Sequence, residues 1–175
     1  MTFKFKTAFD STNAALAAAP QNARATFSAR STLGDGVNSN VAIRQFNVPV
    51  DEPQALGGTD TAPNPVEYIL AALGSCQEIT YRLYADALGI PVNRVSVRLE
   101  GDIDLRGLFN VDKSIRPGFQ GITAEVTIDS PASENDLLRL KSVVDRHCPV
   151  LDILQNPTPV QIDFRHEQVH ALEPV

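Results

Sequence analysis

The chain has 175 residues, a net charge of −6, 43% hydrophobic and 21% charged side chains, and no tryptophan. That length suits one domain with a sizeable core, and the acidic balance excludes the basic face that non-specific nucleic-acid binding needs. No apolar run approaches the roughly 18–20 residues of a membrane span, and the start MTFKFKTAFD lacks the apolar stretch of a secretory signal, so a cytoplasmic protein is expected.

In chain order, FKFKTAF (3–9) and RATFSAR (24–30) alternate in character, and VAIRQFNV (41–48) is rich in β-formers. All three predict short strands. LGDGVNSN (33–40) has the Gly, Asn and Asp chemistry of a hairpin turn. The Pro- and Gly-rich stretch at 50–65 shows no periodicity and predicts a surface loop. Asn64 as N-cap and Pro65 at the first position then open a long helix. Val66, Ile69, Leu73, Cys76, Thr80, Leu83 and Ala87 mark its inward face, and Gly89 with Pro91 stops it. VSVRLEGDIDL (95–105) predicts a long strand, paired antiparallel with ITAEVTID (122–129) across the loop holding RPGFQG (116–121). Ser133 caps a second helix with the stripe Leu137, Leu140, Val144 and Cys148, ended by Pro149. PVQIDFRH (159–166) predicts a last strand. The order βββ–α–ββ–α–β is α+β, an antiparallel sheet with two long inward-facing helices, in a single domain spanning 1–175.

The chain's two cysteines stand 72 positions apart, one on the apolar stripe of each long helix. Free cysteine is often simply buried, so two inert core thiols are the plain alternative to one assembled site. A reactive thiol must ionise, which takes a nearby cation or a helix start. Cys148 falls at a helix C-terminus, where the dipole disfavours an anion, so Cys76 is the better nucleophile. Arg24, Arg30, Arg44 and Arg116 are the candidate cations. His147 adjoins Cys148, but neighbouring helical residues point about 100° apart, which argues against a Cys–His pair. The three histidines and two cysteines lack structural zinc spacing, and neither GxGxxG, P-loop nor GxSxG is present. No metal or cofactor is expected.

Two motifs carry a family resemblance. LGGTDTAPNPVEYILAALGSC (56–76) joins a Gly-rich loop, Asn-Pro and a helix that reaches the first cysteine, and HCPV (147–150) brings the second. Over about 24–165 the chain resembles the OsmC/Ohr family, in a divergent OsmC-like subgroup. The resemblance implies an intertwined homodimer with the two helices buried centrally. It implies that Cys76 reduces an organic hydroperoxide, and that its sulfenic acid condenses with Cys148 to a disulfide. A dithiol such as a lipoylated protein would then reduce that disulfide. An apolar cleft would favour fatty or aromatic hydroperoxides.

Two departures from the family's peroxidase branch bear on the remaining site residues. That branch has Glu directly after Asn-Pro; here Val66 intervenes, and Glu67 precedes Cys76 by nine residues. Nine steps are about 900°, which sets Glu67 opposite Cys76 on an ideal helix. The branch also has Arg in the first hairpin turn, where this chain has Gly34, leaving Arg30 as the nearest substitute. The expectation is a thiol-dependent peroxidase using Cys76, Cys148, Glu67 and Arg30. The alternatives are a non-enzymatic dimer that holds a small apolar ligand or senses redox state, and an enzyme using Cys76 on another electrophile.

Overall fold

A computed structural model describes residues 3–166. Helix α1 (Lys6–Ala18) leads through a short 3₁₀ turn into three strands, β1 (Arg30–Leu33), β2 (Ser39–Ile43) and β3 (Phe46–Val50). These form an antiparallel sheet in the order β1-β2-β3. After a loop comes α2 (Pro65–Leu88), then β4 (Arg94–Ile103), a single helical turn α3 (Leu105–Leu108), and β5 (Phe119–Asp129). Helices α4 (Glu134–His147) and α5 (Pro149–Gln155) complete the regular structure. No described helix is long and apolar enough to cross a membrane.

The sequence at 3–9 is not a strand: residues 3–5 form a turn and 6–9 open helix α1. Its period-two alternation is brief, whereas Phe5 and Phe9 lie four apart and an alanine-rich run follows, a spacing that aligns both rings on one helical face. The Phe9 ring packs edge-to-face with Tyr84 on α2, centroids 5.3 Å apart, and the Phe5 N–H donates to the Asp86 carboxylate at 2.9 Å. Residues 24–29 are irregular, so β1 starts at the end of the strand the sequence predicts. The expected strand at 41–48 is instead a hairpin. It reverses at Arg44, whose φ is 53°, and the Arg44 guanidinium lies over the Phe46 ring at 5.2 Å. The 159–166 segment carries no strand pairing among the described residues, and Val160, Ile162 and Phe164 are exposed.

Helix α2 begins with a full capping box. The Asn64 side chain accepts the Glu67 N–H at 2.9 Å, and the Glu67 carboxylate accepts the Asn64 N–H at 2.8 Å. The loop before it is built around Asp51, which is buried and accepts bonds from the N–H and hydroxyl of both Thr59 and Thr61, and from the Glu52 N–H. Gly58 packs against this cradle so closely that a Cβ there would lie 1.8 Å from the Glu52 carbonyl oxygen. What reads in sequence as a surface loop is thus a fixed lead-in to α2.

The core forms where α2, α4 and the β4–β5 hairpin meet. Tyr81, Ala85, Ile90, Val92, Leu140 and Val144 are buried there, with Val95, Val126 and Ile128 of the hairpin packed against them. The predicted pairing of β4 and β5 is present, running from Arg94 opposite Asp129 to Ile103 opposite Phe119. On α4, Leu140, Val144 and Cys148 are buried as their spacing predicts. On α2 the buried line runs through Leu73, Gly74, Gln77, Thr80, Tyr81 and Ala85. That line is rotated from the expected one, with Ile69 left exposed and Cys76, Leu83 and Ala87 only half-buried. The rotation places Cys76 on the flank of the buried face rather than at its centre.

Candidate active site

Packing of α2 against α4 and α5 sets the two sulfurs side by side. The Cys148 S–H donates to Cys76 Sγ at 3.4 Å. A disulfide requires about 2.05 Å, so a shift of about 1.4 Å closes the gap. Both thiols are free; Cys148 is buried and Cys76 half-buried.

Pro149 ends α4 as expected, but it also starts α5, with Cys148 as the last cap of one helix and the first of the next. Cys148 therefore has the helix start that its sequence position does not reveal. Backbone N–H groups of Leu151 and Val150 approach its sulfur and pull the thiol down. Burial outweighs them and holds Cys148 above the ordinary thiol value, with the hydrogen bond to Cys76 and the charge on Cys76 adding to the rise. The Cys148 proton thus points at Cys76.

Cys76 opens into a cleft of about 570 Å³ between α1, α2 and the α4–α5 junction, within the range of small-molecule sites. Its walls are largely apolar: Phe9 from α1, Ile79 and Leu83 from α2, and Pro149 and Val150 from α5. Three rings line up along it, since Tyr84 meets Phe9 on one side and His147 on the other, the second pair with centroids 4.9 Å apart. Burial pushes the Tyr84 phenol above its ordinary value. The His147 Nδ1 lies 2.7 Å from the Val143 carbonyl oxygen. A carbonyl only accepts, so Nδ1 bears the proton and Nε2 is the free nitrogen of the neutral ring.

The structure brings Cys76 and Cys148 together and leaves the other expected site residues apart from them. Glu67 is exposed, its carboxylate engaged by the Asn64 N–H. Arg30 is exposed on β1, opposite Ala42. Arg24, Arg44 and Arg116 are exposed as well, and no arginine lines the cleft. His147, Tyr84 and Phe9 are cleft residues that sequence reasoning did not assign. Only His147 left a usable signal, its place next to Cys148. The rotation that separates it from Cys148 turns it toward the cleft of Cys76.

An α+β domain with two helix-borne thiols in contact beside an apolar cleft defines a class of two-cysteine proteins. The family model described as OsmC-like protein matches residues 58–163, and the chain belongs to that family. Among solved structures, the OsmC-like protein of Mycoplasma pneumoniae superposes with a TM-score of 0.67 at 22% identity, covering 76% of this chain and 89% of that one. An organic hydroperoxide resistance protein OsmC of Legionella pneumophila gives 0.59 at 21% identity, covering 75% and 92%. An organic hydroperoxide resistance protein of Elizabethkingia anophelis gives 0.57 at 20%, covering 77% and 91%. At these identities the likeness establishes the fold. No curated protein matches significantly.

Proposed function

We propose that the protein is a thiol-dependent peroxidase that reduces organic hydroperoxides, working as a homodimer. The single observation that carries this reading is the 3.4 Å contact in which Cys148 directs its S–H at Cys76. In the first step the Cys76 thiolate attacks the terminal peroxide oxygen. The S–O bond forms, the O–O bond breaks, and the alcohol leaves. In the second, Cys148 sulfur displaces water from the Cys76 sulfenic acid, and the resulting disulfide protects Cys76 from over-oxidation. A dithiol such as a lipoylated protein restores both thiols.

The apolar walls favour a bulky organic hydroperoxide over hydrogen peroxide. Glu67 and Arg30 lie outside the cleft of their own chain, so any part they play is played across the dimer, in the partner's cleft. Arg30→Ala tests that part directly: a drop in turnover of 10-fold or more would support it, and unchanged turnover would end it.

The reading is tested by intact mass after one equivalent of cumene hydroperoxide. The wild type is expected to lose the mass of two hydrogen atoms, and Cys148→Ser to gain about 16 Da as sulfenic acid. An unchanged wild-type mass would overturn the peroxidase and favour the dimer that holds an apolar ligand, for which the same cleft is the supporting observation.

A further inference from the structure

Cleaving a hydroperoxide creates a poor leaving group. An alkoxide departs readily only if a proton reaches it as the O–O bond breaks, and an acid in the site must deliver that proton. The thiol itself must also lose a proton before it attacks. One group that accepts the first proton and donates it in the next step would satisfy both needs.

The cleft offers few candidates. Its titratable side chains are Cys76, Tyr84 and His147. Tyr84 keeps its proton, because burial raises it, and a phenol cannot carry positive charge. Among the described residues, His147 is the one cleft side chain that can. Its ring is held from two sides: the Val143 carbonyl oxygen fixes Nδ1–H at 2.7 Å, and the Tyr84 ring backs its face at 4.9 Å. Its backbone is held as the last residue of α4, just before the chain leaves helical geometry at Cys148 with ψ 111°. A histidine tethered at Nδ1 presents Nε2 as its proton-exchanging atom.

We infer that His147 is the proton shuttle of the Cys76 reaction, taking the thiol proton on Nε2 and passing it to the departing alkoxide. The inference rests on the peroxidase reading above. The balance is complete without any further reactant. The Cys76 S–H proton moves to Nε2, giving thiolate and imidazolium. Sulfur then donates its electron pair to the terminal oxygen of ROOH, the O–O pair leaves on RO⁻, and Nε2–H protonates it. Sulfur is oxidised by two electrons and the peroxide reduced by two. The products are Cys76 sulfenic acid and ROH, with His147 neutral again. The cation that the sequence leads one to seek among distant arginines is thus supplied by the residue next to the second cysteine.

The test compares two oxidants in a Cys148→Ser background, where sulfenic acid accumulates and can be trapped with dimedone and read by mass. Cumene hydroperoxide releases an alkoxide and needs the proton; perbenzoic acid releases a carboxylate and does not. His147→Gln retains a polar group near Nε2, and His147→Asn retains a donor near Nδ1 for Val143. Both are expected to slow sulfenate formation with either oxidant, because the thiol loses its base, and to slow it at least about 10-fold more with cumene hydroperoxide than with perbenzoic acid, because only the alkoxide also loses its acid. The peracid rate also reports whether Cys76 remains reachable and folded. Equal losses with both oxidants, or no loss with either, would overturn the shuttle. A protein with His147 intact that neither oxidant modifies would instead overturn the peroxidase reading, and the shuttle with it.

Discussion

Burial holds the Cys148 thiol up while its proton points at Cys76, so the two sulfurs are chemically unequal. Iodoacetamide at neutral pH is expected to label Cys76 at least about 10-fold faster than Cys148, since only the thiolate reacts. As pH rises through the ordinary thiol range, Cys148 should follow later, because its raised thiol ionises at higher pH. In Cys76→Ala the hydrogen bond and charge of Cys76 are gone, so Cys148 labelling should move to lower pH, with burial still holding it above the ordinary value. Peptide mapping of labelled sites decides this, and faster labelling at Cys148 in the wild type would reverse the roles. At this scale the sequence supplies both thiols and the helical stripes that bring them near each other. It does not show that His147 enters the cleft, because helix twist and packing, rather than spacing, decide where that ring faces.

The loop before α2 and helix α1 show how unevenly elements can be read. Asp51 is held far below the usual carboxylate range, first by the Thr59 hydroxyl, then by the N–H groups of Thr61 and Glu52. A depressed folded value means the stabilisation is present above the unfolded value of 3.8 and fades as pH falls toward the folded one. Asp51→Asn should therefore lower Tm by several degrees, by a constant margin from pH 5 to 8 that narrows below about pH 4. A margin independent of pH down to 3 would show that the charge plays no part. Gly58→Ala should also lower Tm, because its Cβ meets main chain rather than a movable side chain. Helix α1 is the weak element: it buries no residue completely, and its aromatic contact with Tyr84 contributes about 0.5–1.5 kcal/mol. Phe9→Ala should leave Tm within a few degrees but speed maleimide labelling of Cys76 several-fold, since one wall of the cleft is lost. The long helix and the β4–β5 hairpin were legible because caps and long periodic runs agree over ten or more residues. Residues 3–9 were not, because their alternation is as short as a helical turn and docking against Tyr84 and Asp86 decides between the two.

At the scale of the whole molecule the unsolved term is apolar surface. Phe27 is 93% exposed, and Val160, Ile162 and Phe164 are 80%, 86% and 88% exposed, on a segment whose apolar residues alternate as in a half-buried strand. An extended segment of this kind needs a neighbouring strand to satisfy its backbone and cover its apolar face, and none pairs with it among the described residues. The sheets are small, one of three strands and one of two, and two-stranded sheets are marginal alone. Both shortfalls are met together if a second copy covers these surfaces, which is the homodimer proposed above. Light scattering is then expected to give twice the 19.0 kDa chain mass, with a Tm that rises with protein concentration, as for any fold stabilised by association. Replacing Ile162 and Phe164 together by lysine should shift the protein to monomer and lower Tm, because the charges would need burial at the contact. The same pair of substitutions separates two roles for the segment. If the dimer persists at unchanged Tm, the 159–166 segment lies outside the interface. If the wild type is itself monomeric at micromolar concentration, the apolar surface requires another cover, and Arg30 and Glu67 lose their route to a cleft.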